Sequence, residues 1–247
     1  MSSPRRSPDS GGTRASRPRR PAPRERLSRD RVLREAVAAA DELGTDALTM
    51  RVLAERLGVV PMALYKHVAD REDLLDGMVD VVLAEIEPPP SARGWRSRVR
   101  GRILASRQVL LRHPWVPRVI ETRTSASAVV LAYMDALAGD FLSGGLSPDL
   151  AHHALHAVGS RMWGFTQEVF PTPQPPDDPA MLEAMVREFS ARYPHILVIA
   201  GAGAHEPDSA VGSTCDDQFE FEFALDVILD GIERLHRRGW ASPRGAG

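Results

Sequence analysis

Apolar residues between positions 28 and 87 recur at the three- and four-residue spacing that is typical of α-helices. Residues with side chains suited to a helix start precede three of these segments, namely Ser28, Thr49 and Asp70. A run of three prolines, 88–90, closes the region, because no helix continues through it. The pattern therefore predicts a four-helix unit at 28–87, with its first helix ending near Leu43.

The two middle helices of this unit are short and are separated by a single glycine. Leu53 and Leu57 give the first of them an apolar stripe, and Leu64 is spaced to cover that stripe from the second. Gly58 lies where a left-handed backbone ends a helix, and Pro61 suits a first helical turn. This arrangement is typical of a helix-turn-helix, which places one helix across the DNA backbone and the other in the major groove.

Helical periodicity resumes after the prolines and continues almost to the end of the chain. Helices are expected at about 94–111, 125–141, 147–169, 177–193 and 217–238, with a loop at 194–214. A further short helix is expected after the His113-Pro114 break and ends near Ile120. The alternating F-E-F-E-F at 219–223 would suit a strand, but the helical period that follows it outweighs this. The predicted fold is all-α, with an N-terminal helix-turn-helix domain and a larger helical domain at 91–240.

Charge and composition narrow the picture only locally. The 31 basic and 33 acidic residues nearly cancel, but residues 1–27 carry eight arginines against Asp9 and Glu25. This arm is rich in Pro, Ser and Gly and is expected to be disordered. It is either a solvated tail or a basic arm that adds contacts to DNA. The single cysteine, Cys215, excludes an internal disulfide, and no apolar run reaches the roughly 18 residues of a membrane helix.

Three motifs together resemble one known family. The segment T-M-R-V-L-A-E-R-L-G-V-V-P-M-A-L-Y-K-H-V, followed by D-R-E-D-L-L-D-G-M, is similar to the helix-turn-helix of the tetracycline-repressor (TetR) family. G-L-S-P-D-L-A-H-H-A-L-H-A-V-G and F-E-F-A-L-D-V-I-L-D-G-I-E-R-L resemble the two helices that form the dimer four-helix bundle in the tetracycline-repressor subgroup. The resemblance spans about residues 28–238 and is weakest at 93–123 and 194–214.

The resemblance implies a cytoplasmic transcription regulator rather than an enzyme, with no cofactor, no metal and no membrane partner. It implies a homodimer that represses from a palindromic double-stranded DNA operator, with a small organic effector in each C-terminal domain. Effector binding would shift the fourth helix and spread the recognition helices, for which a coupling of about 1–3 kcal/mol is typical.

The same resemblance assigns DNA contacts by position. The residues concerned are Arg51, Pro61, Met62, Ala63, Tyr65, Lys66, His67 and Arg71. Arg51 would reach guanine or phosphate, Tyr65 and Lys66 would bind phosphates, and 61–63 would contact thymine methyl groups. Val60 stands where many relatives carry a polar capping residue, so sequence choice is expected to depend on Arg51 and on DNA shape as well.

The effector site is predicted less specifically. Its candidates are Arg102, Ser106, Arg123, His156, Met162, Trp163 and Phe165, and each of them also suits a core or interface position. Ile86, Arg102 and Ser106 replace drug contacts of the tetracycline repressor, and its metal-binding histidine falls near Val119. A magnesium–tetracycline complex is therefore not the expected ligand.

The resemblance also assigns a dimer interface and leaves two alternatives open. The predicted interface residues are Leu150, Ala154, Val158, Phe221, Leu225, Ile228 and Ile232. One alternative is a dimeric DNA-binding regulator without a ligand. The other is an all-α enzyme with a metal at His152, His153 and His156, although histidines of this spacing also suit an interface or a solvated surface.

Overall fold

The computed structural model describes residues 26–87, 93–163, 176, 178–196, 198 and 217–243, and these residues contain helices and turns but no strand. The helices are α1 (Arg29–Leu43), α2 (Met50–Leu57), α3 (Pro61–Leu64), α4 (Arg71–Leu83), α5 (Gly94–Arg112), α6 (Val116–Glu121), α7 (Ala128–Leu142), α8 (Pro148–Trp163), α9 (Pro179–Arg192) and α10 (Asp217–Arg237). The all-α prediction is confirmed, and the F-E-F-E-F segment is helical.

Polar caps begin the N-terminal helices where the sequence predicted them. The hydroxyl oxygens of Ser28 and Thr49 accept hydrogen bonds from backbone amides in the first turns of α1 and α2. A carboxylate oxygen of Asp70 does the same for α4, at 2.8 Å from the amide nitrogen of Asp73. Each cap satisfies an amide that has no partner inside its own helix.

Gly58 makes the tight turn between α2 and α3 possible. Its φ is 67° and its ψ is 36°, a left-handed conformation that costs little for glycine. Its amide donates back to the carbonyls of Ala54 and Glu55, which closes α2. The chain then turns so that Leu64 is buried against Leu53 and other core residues of the N-terminal unit.

Two bundles share one continuous core. In the N-terminal unit, α1 packs on α2 and α4. In the C-terminal unit, α5 packs against α7, α8 and α10, and α8 lies along α10. Helix α4 contacts α5, α6 and α7, so it is the element that joins the two units.

The observed boundaries differ from the predicted ones at several places. Helix α4 ends at Leu83, and turns lead from there to Glu87. Helix α7 begins at Ala128 rather than near 125, because the side chain of Ser127 caps it. The predicted arm at 1–25 and most of the 194–214 loop lie outside the described residues. No helix among the residues described is long and apolar enough to cross a membrane.

Most of the predicted dimer-interface residues are buried within a single chain. Six of the seven are buried inside a single chain, with 0–5% of their surface exposed: Leu150, Ala154, Val158, Phe221, Leu225 and Ile232. They fill the seam where α8 and α10 meet each other and α5, so they have no surface left for a partner. Only Ile228 is partly exposed. Apolar periodicity identified the buried stripe of α10, but not which of its faces turns outward.

Candidate DNA-binding surface and effector site

The residues predicted to face DNA lie together on one exposed edge, at α3 and the turn after it. Met62 is 72% exposed and Tyr65 is 47% exposed, so both large side chains are accessible to a partner. Pro61 and Lys66 are also exposed, and Ala63 is partly buried. We call this edge, residues 61–66, the recognition surface. It carries one cation, one phenol and an apolar patch.

The recognition helix itself is only one turn long. No side chain caps α3 at Val60, as the sequence predicted, and the amide of Ala63 bonds to the Val60 carbonyl instead. Turn residues 65–67 continue it, with the amide of His67 bonded to the Leu64 carbonyl at 2.8 Å. A helix this short cannot position itself, so its geometry depends on contacts from neighbouring helices.

Arg29, at the start of α1, makes the main one of those contacts. Its Nη1 donates to the backbone carbonyl of His67 at 2.7 Å and to Asp73 on α4 at 3.0 Å, and its Nη2 donates to Asp73 at 2.6 Å. Asp73 also accepts from the amide of Ala69 at 2.7 Å. The hydrogen bond from Arg29, helped by that from Ala69, lowers the pKa of Asp73. This clasp ties the recognition turn to both α1 and α4.

The two arginines predicted to contact DNA, Arg51 and Arg71, differ in their surroundings. Arg51 is exposed at the start of α2, and its Nε lies 3.3 Å from Glu55 within the same helix. Arg71 donates to the backbone carbonyls of Leu48 and Thr45 at 2.5 and 2.8 Å. Its two terminal nitrogens therefore brace the α1–α2 connection, a role that the sequence did not suggest. Arg51 keeps its guanidinium available for DNA.

Three of the predicted effector residues meet between α5, α7 and α8. Ser106 Oγ donates to the carbonyl of Arg102 at 2.8 Å, so the hydroxyl of Tyr133 donates to Ser106 Oγ at 2.7 Å. Met162 Sδ lies 3.5 Å from the Tyr133 oxygen. Burial raises the pKa of Tyr133, so its hydroxyl stays protonated at neutral pH. The phenol oxygen retains a lone pair for an incoming donor.

A buried carboxylate fixes the charge beside this cluster. Asp140 on α7 is 8% exposed and accepts from Nε of both Arg98 and Arg102, at 3.0 and 2.9 Å. Two guanidinium groups thus share one carboxylate, which leaves a local positive charge. In the described part of the chain, the terminal nitrogens of Arg102 have no hydrogen bond. The arrangement suits an organic ligand that carries acceptor atoms.

The other predicted effector residues lie elsewhere. Arg123 is at the junction of the two units, in ion pairs with α4. His156 is exposed on α8, with its ring centroid 4.7 Å from that of His152. The side chains of Trp163 and Phe165 lie outside the described residues. The structure therefore does not bring Arg123 and His156 into the cluster around Arg102.

The histidines of α8 pack edge to face against one another. The rings of His152 and His153 have centroids 5.1 Å apart and are nearly perpendicular. Among the residues described, no group of three or more His, Cys, Asp or Glu side chains is arranged to hold a metal ion.

Helix α4 presents a line of carboxylates to the C-terminal unit. Glu72 and Asp76 both pair with Arg123, which lies after α6, at 2.5 and 3.1 Å. One turn further along, Asp80 accepts from the hydroxyl of Ser127 at 2.5 Å. Positions four apart share one helix face, so these contacts form a single stripe. A crevice of about 230 Å³ opens beside them.

A second junction lies at the end of α5. The side chain of Asp41, near the end of α1, accepts from Nε1 of Trp115 at 2.7 Å and lies 2.8 Å from Nδ1 of His113. The other ring nitrogen of His113 lies 3.5 Å from Glu85, which also pairs with Arg112 at 2.7 Å. The C-terminal unit therefore grips both α1 and α4.

The sequence held signals for some of the residues that prediction missed. The four-residue spacing of Glu72, Asp76 and Asp80 on an otherwise apolar helix marks a polar contact face. Tyr133 had no such signal, because its partner lies 27 positions earlier in the chain. The pairing of distant side chains follows from packing, which periodicity alone does not determine.

Comparison with known proteins agrees with the geometry. The family described as "Tetracyclin repressor-like, C-terminal domain" matches residues 87–236. The chain is 30% identical to the HTH-type transcriptional repressor DrrR1 of Streptomyces coeruleorubidus, covering 91% of this chain and 86% of that one. It is 32% identical to the class A tetracycline repressor protein from transposon 1721 of Escherichia coli, covering 89% and 97%.

A solved structure extends the likeness to three dimensions. ActR of Streptomyces coelicolor, in complex with actinorhodin, superposes with a TM-score of 0.57 at 25% identity, covering 85% of this chain and 98% of that one. The family match spans more than half of the chain, and both relatives align over most of their length. The protein described here belongs to the TetR family of DNA-binding transcriptional regulators.

Proposed function

We propose that this protein is a homodimeric repressor that binds a palindromic operator and is released by a small organic effector. One observation carries the proposal: α4 holds the recognition turn through Asp73 and holds the C-terminal unit through Glu72, Asp76 and Asp80. A shift of α4 caused by a ligand would reach the recognition surface directly. Such a regulator acts in the cytoplasm, where its operator is.

The recognition surface supplies the DNA contacts. Tyr65 and Lys66 bind phosphates, Arg51 reaches a base edge or a phosphate, and the apolar patch at 61–63 packs on thymine methyl groups. His67 is partly buried, and its backbone is held by Arg29, so its contact to DNA is secondary. Arg71 contributes by holding the α1–α2 connection rather than by contacting DNA.

The dimer forms through the outward faces of α8 and α10. Phe223 and Val227 are 59% and 54% exposed, and they continue the line of Phe219, whose ring stacks on that of Phe223. An apolar stripe at four-residue spacing on an exposed helix is suited to a helix-packing interface. This stripe replaces the buried residues predicted from the sequence.

Effector binding is assigned to the cluster of Arg102, Ser106, Tyr133 and Met162. The relatives support an organic ligand, since one is named a tetracycline repressor and the ActR structure contains actinorhodin. Two residues of the cluster, Arg102 and Ser106, lie on α5, which also carries Arg112 and leads to the junction at Asp41. A ligand that displaces α5 would therefore change the contacts that Arg112 and His113 make with Glu85 and Asp41.

The proposal is tested first at the DNA. An operator is selected from fragments of the source genome, and its affinity is measured by fluorescence anisotropy over a range of salt concentrations. Tyr65→Phe and Lys66→Ala each weaken binding several-fold, and Lys66→Ala also lowers the salt dependence by about one released ion. Arg187→Ala removes an exposed charge on α9 and serves as the control. Unchanged affinity in both variants would refute the recognition surface.

The effector assignment is tested with compounds that release this operator. Tyr133→Phe and Ser106→Ala weaken release several-fold without changing operator affinity in the absence of compound, because they remove ligand contacts and not DNA contacts. Tyr193→Phe, at an exposed tyrosine, is the matched control. Release with wild-type potency in both variants would move the effector site elsewhere.

The dimer is tested by sedimentation. Phe223→Glu places a charge in the exposed stripe of α10 and dissociates the dimer, whereas Met134→Glu changes an equally exposed apolar residue of α7 and leaves it intact. A dimer that survives Phe223→Glu would exclude this face of α10.

A further inference from the structure

Two arginines meet around one buried aromatic ring at the start of α10. Arg107 on α5 is 5% exposed, and its guanidinium carbon lies 4.3 Å from the ring centroid of Phe221. The guanidinium carbon of Arg161 on α8 lies 4.8 Å from the same centroid. Phe221 itself is 1% exposed. Arg161 is partly exposed. The C-terminal unit thus holds two cations beside one buried ring.

Neither guanidinium has a carboxylate partner within the described residues. Arg107 donates to the side-chain oxygen of Gln218 at 3.1 Å and to the carbonyl of Asp217 at 3.0 Å. Arg161 donates to the carbonyl of Glu220 at 3.1 Å. Its Nε is buried and has no hydrogen-bond partner. Among the residues described, the hydrogen bonds of both guanidinium groups therefore reach neutral oxygens.

Between α5 and α10, a third arginine does form ion pairs with carboxylates. Arg100, two turns before Arg107 on α5, binds Glu222 at 2.7 Å and Asp226 at 3.0 Å on α10. Burial lowers the pKa of Arg107, and the charge of Arg161 acts in the same direction, against the attraction of Asp217. A buried arginine whose hydrogen bonds reach only neutral oxygens, with a second arginine beside it, suits the binding of an anion.

We propose that Arg107 and Arg161 bind the negative group of an organic acid, with Phe221 packed against its apolar body. An organic acid suits the site better than a hydrated inorganic ion, because its apolar body can pack on the Phe221 ring while its negative group meets the arginines. The residues next to the two arginines in sequence, Ser106 and Met162, belong to the effector cluster. We assign the ligand as the effector, an identification that rests on the proposed function.

Binding is measured by calorimetry on the full chain without DNA, with naphthoate as the probe, naphthamide as its neutral counterpart and sulfate as an inorganic anion. Naphthoate is expected to bind saturably, at least about tenfold more tightly than naphthamide or sulfate, because charge-assisted hydrogen bonds form only with its carboxylate. No binding of naphthoate up to the millimolar range, or equal binding of naphthamide, would overturn the proposal. Equal binding of sulfate would reduce the site to an adventitious ion only.

Variants assign the binding to these side chains. Arg107→Gln and Arg161→Gln each weaken naphthoate about tenfold or more, and Arg161→Lys keeps part of the affinity because it keeps the charge. Arg100→Gln removes an equal charge from the same helix seam and is expected to leave binding unchanged. A loss shared by Arg100→Gln, or wild-type binding in Arg161→Gln, would overturn the assignment. Circular dichroism confirms folding, and Arg161→Gln decides the matter if Arg107→Gln does not fold.

A separate measurement distinguishes this proposal from the proposed function. Naphthoate is added to the complex of the protein with its operator, and release is followed by anisotropy. Release that is lost in Arg161→Gln supports the identification of the site with the effector site. Binding without release would leave the anion site standing and would refute its role in regulation.

Discussion

The N-terminal and C-terminal units place their functional groups in opposite ways. In the N-terminal unit, the recognition surface is exposed, and helix caps, the clasp and the Arg71 contacts hold the short helices in place. In the C-terminal unit, the candidate binding groups are buried among helices, and arginines join residues more than a hundred positions apart. The first unit presents a surface made by local sequence, and the second encloses a site made by packing.

The strongest test of this contrast is the buried carboxylate. Asp140→Ala leaves Arg98 and Arg102 without their shared counter-ion, and it is expected to lower the free energy of unfolding by about 3 kcal/mol. Urea unfolding followed by circular dichroism measures it. Asp30→Ala, which breaks the exposed pair with Arg34 on α1, is expected to cost about 0.5 kcal/mol or less. An equal loss of unfolding free energy in Asp140→Ala and Asp30→Ala would contradict the contrast between a buried and an exposed charge network.

The next test uses two glycines that lie at close helix contacts. A Cβ at Gly144 would lie 2.5 Å from both Cγ and Cδ1 of Trp95, so Gly144→Ala is expected to cost about 1–3 kcal/mol. A Cβ at Gly77 would lie 2.6 Å from Leu33 Cδ2, the movable end of a flexible side chain. Gly77→Ala also gains helix propensity. It should therefore cost less in the same unfolding assay, and the reverse order would show that the N-terminal unit is the more tightly packed.

The units also differ in how much of them could be predicted from the sequence. Ser28, Thr49, Asp70 and Gly58 were assigned their structural roles correctly, because caps and left-handed turns depend on residues within one helical turn. The all-α fold and the family followed from periodicity and motifs. The position of the recognition surface stays a prediction for DNA contact, although its residues do lie together on an exposed edge.

In the C-terminal unit, prediction identified helices but not the direction of their faces. A helix with apolar residues on two sides has no unique outward stripe. Three of the four α10 residues predicted for the dimer interface are buried within the chain. Tyr133 and Arg107 were missed because their partners are far away in the chain. Such pairs are set by the way in which helices cross, which depends on the whole core.

A third test addresses the local character of the N-terminal unit. Thr49→Ala removes the cap of α2 and is expected to cost about 1 kcal/mol. Thr49→Ser keeps a hydroxyl in place and should cost little, which makes it the matched control. Both are measured by urea unfolding and by operator affinity. If Thr49→Ser lost as much as Thr49→Ala, the methyl group rather than the cap would be responsible.

The smallest expected effect concerns pH. The hydrogen bond from Arg29 keeps the pKa of Asp73 below its ordinary value of about 3.9. The clasp therefore adds stability that is complete above the ordinary pKa and is lost as pH falls through the lowered one. Asp73→Asn should flatten this part of the pH dependence of the unfolding free energy, and Asp135→Asn, at an exposed position of α7 outside the clasp, is the control. The same slope in both variants would contradict the clasp.

The line of acids on α4 limits which regulatory halves this DNA-binding half can accept. Glu72, Asp76 and Asp80 meet Arg123 and Ser127 side chain to side chain. A chimaera that joined residues 26–87 to the effector half of a relative would need donors at the matching positions, or it would leave carboxylates facing the wrong groups. In swapping sensors between regulators, compatibility is thus decided by five side chains at this junction before any question of ligand or operator arises.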